Sequence, residues 1–182
     1  QLNYIGEYAF YGCTTLFHLR PKLACTSIKP YTFYRTEVAL TLTDVVTIIE
    51  ESAFERTYHM SLLNNKSNIR HIKSRAFYCA QYCWLRDFFS TIETIESYSF
   101  YGIQDPNVDQ PTFLSLKSVP SYAFSHSMIN SIKLAVATSI SSYAFSGSTA
   151  STINIGSSLT SLELSAFDSC TQLGSFEGSG QY

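Results

Sequence analysis

The apolar positions of this 182-residue chain fall into short alternating pairs, namely Leu40 and Leu42, Leu63 with Asn65, Ile132 and Leu134, and Ile153 and Ile155. A period of two puts one set of side chains on one face of a strand and the intervening residues on the other. A third aliphatic, as in Val46, Ile69, Ile92 and Leu159, stands three residues before a phrase that recurs along the whole chain. The phrase reads IGEYAF at 5–10, IKPYTF at 28–33, IEESAF at 49–54, IKSRAF at 72–77, IESYSF at 95–100, VPSYAF at 119–124, ISSYAF at 140–145 and LELSAF at 162–167. Its pattern is an aliphatic, three variable residues, a small residue and Phe. The eight phenylalanines, Phe10, Phe33, Phe54, Phe77, Phe100, Phe124, Phe145 and Phe167, are spaced 21 to 24 residues apart.

A period of about 20 to 29 residues with apolar anchors is that of leucine-rich repeats. The expected fold is therefore an α/β repeat solenoid, a right-handed leucine-rich-repeat coil of about eight repeats, each with one short parallel strand and a turn or 3-10 segment. A single coil cannot bury its own apolar set, so coils stack, strands pair into a parallel sheet and the phenylalanines form a ladder. At ~4.8 Å per coil, eight coils make a rod or shallow arc roughly 40 Å long. Coils are numbered one to eight by their phrase, each running on through the strand that follows. Residues 1–176 are expected to form this solenoid and 177–182 a flexible tail. The first phrase arrives at residue 5 with no strand or polar cap before it, which reads as a segment of a longer array with ends open to self-association.

Composition narrows the function classes. The chain is 45% hydrophobic and 14% charged, with 13 Tyr and 13 Phe, so it can bury enough apolar surface to order itself. Net charge is −2 and the twelve basic residues are dispersed, which excludes a nucleic-acid or anionic-lipid footprint. No apolar run approaches the ~18 residues of a membrane span. The chain starts at Gln1 without a charged-then-apolar leader, so a signal or anchor is expected outside this stretch.

The phrase IxxYAF, followed by YGCTTL at 11–16 in coil one and DSCTQL at 168–173 in coil eight, resembles the BspA-like leucine-rich repeat family, over essentially the whole chain. Its coils carry an AF-x-G-C-x-x-L core and an I-x-x-Y-A-F close. The resemblance implies a surface or secreted protein of mucosal bacteria or parasitic protists that binds or adheres, with no catalytic machinery and no cofactor. The chain departs from the pattern at Cys79, one place early in coil four. Coil four also sets Arg86 where an inward aliphatic belongs in a strand around Trp84 to Phe89, and coil five lacks a clean strand pair.

No catalytic or metal-ligating motif is present, and the four histidines and fourteen carboxylates are scattered over different coils. Cys79 and Cys83, in CAQYC, can be core fillers, a local disulfide or part of a metal or redox pair. Asn65 is a candidate glycosylation site, as the start of the sequon Asn65-Lys66-Ser67. Tyr8, Tyr31, Tyr98, Tyr122 and Tyr143 stand two before the repeat Phe, and Tyr11, Tyr34, Tyr78 and Tyr101 one after it. Stacked columns of this kind either cover the coil ends or form an aromatic strip for carbohydrate or protein. The binding face is expected on the exposed side of the sheet, concave in a curved solenoid, where a protein or glycan ligand would meet His18, Arg20, Lys22, Thr41, Thr43, Asn64, Asp87, Lys133, Thr152 and Asn154. Leu62, Lys66, Leu85 and Ser131 alternate onto that same side. The alternative readings are an architectural repeat and an intracellular scaffold.

Overall fold

The computed structural model of the chain describes residues 1–62, 68–83, 85, 89–105 and 110–178. Two sets of parallel strands run through it. The longer strands hold the alternating pairs: His18–Leu23, Ala39–Leu42 and Ser61–Leu62 form one sheet, and Thr112–Phe113, Ser131–Leu134, Thr152–Ile155 and Ser175–Gly178 another. Two-residue strands open the phrases: Ser27–Ile28, Ile48–Ile49, His71–Ile72 and Thr94–Ile95 in one stack, Ser118–Val119, Ser139–Ile140 and Ser161–Leu162 in the next. Every pairing is parallel and joins successive coils. The result is a β-solenoid of about seven turns, the eight phrases bounding seven full periods.

Two expectations change here. Among the described residues, coils two, three and five to eight carry two strands where one was expected, because the aliphatic that opens the phrase is itself paired, and in coils two to seven buried. The helical part of the α/β class is nearly absent, since Phe89–Thr91 is the one 3-10 segment among the described residues. The last strand, Ser175–Gly178, runs past the expected boundary at 176.

Tight turns take the helical part's place, and their backbone is unusual. The residue two before each ladder Phe has a left-handed φ in all eight coils, between 51° and 63°, and so does the residue two after it, between 52° and 70°. Glycine meets the second requirement in coils one, five and seven (Gly12, Gly102, Gly147). Tyr fills the first in five coils, at a cost of about 1 kcal/mol each.

Inter-coil hydrogen bonds hold these turns in place. The N–H of each ladder Phe donates to the carbonyl of the small residue in the next coil, from Phe10 to Thr32 (2.9 Å) through to Phe145 to Ala166 (2.8 Å). The residue two further on donates likewise, from Gly12 to Tyr34 and on to Gly147 to Asp168, both 2.8 Å. Both columns run unbroken, every donor aimed at the later coil.

Inside, the eight phenylalanines stack with ring centroids 5.3–5.4 Å apart and planes within 18° of parallel. Because coils rise only about 4.8 Å, successive rings slip sideways by about 2 Å, the offset that aromatic quadrupoles favour. Phe33, Phe54, Phe77, Phe100, Phe124 and Phe145 are fully buried. Three residues beyond each Phe lies a second core slot, filled by Thr36, Thr57, Ala80, Ile103, Ser127 and Ser148 in the inner coils. Cys79 is therefore not the core filler of coil four; Ala80 is.

Coils three to five depart from the expected register. Leu62 pairs level with Leu40, one residue earlier than the Leu63–Asn65 pair predicts. In coil four, Leu85 is buried together with Phe89, which corrects its outward assignment. That register buries two apolar side chains. In coil five, Thr112–Phe113 pairs with Lys133 and Leu134, so a strand is present after all, with Phe113 buried on it and Leu116 buried beyond its end. Phe89 packs on Phe113 at 5.3 Å and on Phe100 at 5.8 Å, so the two rings fill the space the missing aliphatic pairs leave. Where coils six and seven close most tightly there is no room for a side chain: a Cβ on Gly156 would lie 1.9 Å from the Ala135 carbonyl oxygen.

Candidate binding surfaces

On the longer strands of coils six and seven, Ile132, Leu134, Ile153 and Ile155 point inward, so the residues between them face solvent. Parallel register sets these outward residues in rows. Ser131, Thr152 and Ser175 form one row; Thr112, Lys133, Asn154 and Glu177 form another. Lys133, Thr152 and Asn154 thus come together, with Asn154 flanked by opposite charges. Thr112, Ser175 and Glu177 belong to the same surface but escape sequence reading, Glu177 because it was assigned to the tail. The alternation around Phe176 was the available signal.

The remaining candidates lie on the other sheet. His18, paired with Ala39, is exposed, as are Arg20 and Lys22, and Thr41 is half-buried. Thr43 does not belong to this surface: its hydroxyl oxygen is buried and unpartnered, out of reach of a ligand. Asn64, Asn65, Lys66, Arg86 and Asp87 lie outside the described residues. Among the described residues the sheet face is therefore two patches, one basic and one of mixed polarity, on two separately paired sheets.

The tyrosines form columns on the turns. Tyr8 stacks on Tyr31 at 5.0 Å and Tyr11 on Tyr34 at 4.6 Å; further along, Tyr78 stacks on Tyr101 at 4.8 Å, Tyr98 on Tyr122 at 4.9 Å and Tyr122 on Tyr143 at 5.2 Å. Within a coil the two rings meet at about 50°, as between Tyr31 and Tyr34. Coils three and four break the columns, with Ser52 and Arg75 in the first slot and Glu55 in the second. The Glu55 side chain is only 4% exposed. Its carboxylate accepts from Arg75 Nε and Nη2, each at 3.1 Å, and from Ser52 Oγ at 2.8 Å. The Arg75 guanidinium also lies 4.4 Å from the Tyr78 ring centre. Its hydrogen bonds to Glu55 raise its pKa above the usual arginine range. A cleft of about 520 Å³ opens beside this pair, walled by tyrosines of coils one and two.

All five cysteines carry free thiols. Cys83 is fully buried, and loss of hydration pushes its pKa well above the ordinary 9.0; burial also raises Cys25 and Cys79. Along the short strands, Lys73 pairs with Glu96 at 2.9 Å, Arg70 pairs with Glu93, and His71 Nδ1 lies 2.9 Å from Thr94 Oγ1, a polar fringe that ties coil four to coil five. Among the described residues no three His, Cys, Asp or Glu side chains come together as a metal group, and no helix is long and apolar enough to cross a membrane.

A model of the BspA type leucine-rich repeat region matches residues 1–105 and 93–181, in six copies. Nothing among curated proteins or solved structures matches the chain. Repeat proteins of this family are commonly used in protein binding or adhesion, their solenoid fold is generally non-enzymatic, and in bacteria they are typically surface or secreted. With the recurring phrase, the parallel coils and the family model in agreement over nearly its full length, the chain belongs to the BspA-type leucine-rich repeat family.

Proposed function

We propose that this chain is a non-catalytic binding or adhesion module of a surface or secreted protein, and that it recognises a protein or glycan partner through the outer face of its longer strands. The observation that carries the reading is the row Thr112, Lys133, Asn154, Glu177, which sets donors, acceptors and both charges at coil spacing on a rigid sheet. A surface of this kind discriminates by hydrogen-bond pattern and charge order more than by apolar area. The test is capture of host proteins and arrayed glycans by the parent protein, with and without the paired change Lys133→Glu and Asn154→Ala. Binding should drop about tenfold or more, as expected when a charged hydrogen-bond partner is lost, with the melting transition unmoved. A double variant that binds as before would remove the sheet face from consideration.

A second reading, an architectural or scaffolding repeat, is favoured by one observation. In coil eight the phrase aliphatic Leu162 is 51% exposed, although its equivalents in coils two to seven are buried, and Leu164 beside it is 79% exposed. A further coil or a second copy would cover them. Mass measured against concentration distinguishes this reading, since Leu164→Glu should abolish any self-association that this surface supports. Counting thiols with and without reductant separates a reducing from an oxidising compartment.

A further inference from the structure

We infer that the break in the tyrosine columns at coils three and four is a subsite for a neutral pyranose, seated on the open face of Tyr31 and hydrogen-bonded by Glu51 and Arg75. The turns lie on a different part of the coil from the longer strands, so this site stands or falls apart from the sheet face discussed above.

Where the columns are intact, each tyrosine face is covered by the next coil's ring at 4.6–5.2 Å and offers nothing to a ligand. Coil three replaces that ring with Ser52, which is fully buried and donates its hydroxyl to Glu55. Tyr31 therefore stacks on Tyr8 on one side only, and the next long side chain of its column, Arg75, is two coils away, about 10 Å at one strand spacing per coil. A six-membered sugar ring fits such a slot, with its C–H face against the aromatic face.

The polar groups decide the class of ligand. Glu55 is buried and already neutralised by its two bonds from Arg75, so the pair demands no counter-charge. What remains at the mouth is one exposed carboxylate, Glu51, and the outer edge of a guanidinium whose side chain is 43% exposed. A cation would meet Arg75, and an anion would meet Glu51. A neutral ring bearing adjacent hydroxyls donates to the carboxylate and accepts from the guanidinium at once. Arg75 is also held in place beforehand, by Glu55 on one side and the Tyr78 ring on the other, so little side-chain freedom is lost on binding. The cleft's volume, about 520 Å³, suits one or two sugar residues.

Saturation-transfer NMR on the folded chain tests this, with methyl β-D-galactopyranoside, methyl α-D-mannopyranoside and methyl β-D-glucopyranoside as probes. At least one should receive transfer at its ring C–H protons. The signal should weaken about tenfold in Glu51→Ala, which loses a charged hydrogen-bond partner. Ser52→Tyr, which completes the column with a residue that five other coils already hold in the same backbone conformation, should abolish it. Glu51 is exposed, so its variant remains informative even if Ser52→Tyr fails to fold. No transfer to any of the three glycosides overturns the inference, as does transfer unchanged in Glu51→Ala or displaced by tetramethylammonium chloride.

Discussion

Ser99 occupies the small slot before a ladder Phe, where Ala53, Ala76, Ala123 and Ala144 sit in other coils, and its hydroxyl is buried without a hydrogen-bond partner. Thr32 in the same slot escapes that penalty because its Oγ1 donates to the Lys29 carbonyl at 2.8 Å. An unpartnered buried hydroxyl costs roughly 1–3 kcal/mol, so Ser99→Ala should raise stability by about 1 kcal/mol, read as a higher urea midpoint at unchanged slope. A lower midpoint would show that the hydroxyl serves a purpose the apolar slot conceals. Glu55 illustrates the opposite outcome at the same scale, a buried carboxylate made tolerable by Arg75 and Ser52, where isolation would make it far costlier.

At the scale of the repeating element, the ladder and the outer sheet face should separate cleanly. Phe124→Ala empties a slot between two stacked rings and should cost ~3–5 kcal/mol, whereas Asn154→Ala should leave unfolding nearly unchanged. The reverse result in chemical denaturation would invert the inward and outward assignment. The Phe spacing and its small neighbour were legible in the sequence because every coil repeats them. The short strands were not, since two residues are too few to show a period. The left-handed turns were legible only in part: Gly12, Gly102 and Gly147 announce the position after the Phe, but at the position before it Tyr accepts the strained backbone because inter-coil hydrogen bonds and ring stacking hold it there. Coil four departs from strict alternation because Leu85 and Phe89, four residues apart, are its buried pair, a spacing that a period of two does not produce from Trp84. Of the candidate sheet face, Lys133, Thr152 and Asn154 could be grouped from alternation alone, but which strands lie level with them depends on inter-coil register, which no single coil encodes.

Across the whole molecule, each coil touches only its neighbours, so stability is close to a sum of coil and interface contributions. One contribution depends on pH. Cys83 keeps its proton in the folded state to well above the ordinary 9.0, while the unfolded chain releases it near that value. Below about pH 9 the full stability is present; above it the unfolded state gains by ionising first, and stability falls as pH climbs toward the folded value. Urea midpoints between pH 7 and pH 10 should decline in the wild type and decline less in Cys83→Ala. Equal slopes would remove Cys83 as the source. The hydrogen-bond columns of the turns have an effect on the same scale. Because the ladder Phe of coils one to seven, and the residue two beyond each, donate toward the later coil, their own peptide dipoles add along the axis, while the residue four beyond the Phe donates back, as from Tyr58 to Thr36 and from Met128 to Ile103. Within these two columns the polarity opposes that of an α-helix, positive toward later coils and negative toward earlier ones, and the back-donating columns on either side reduce it. The ends of these two columns would suit an acidic group beyond the last turn and a basic group before the first.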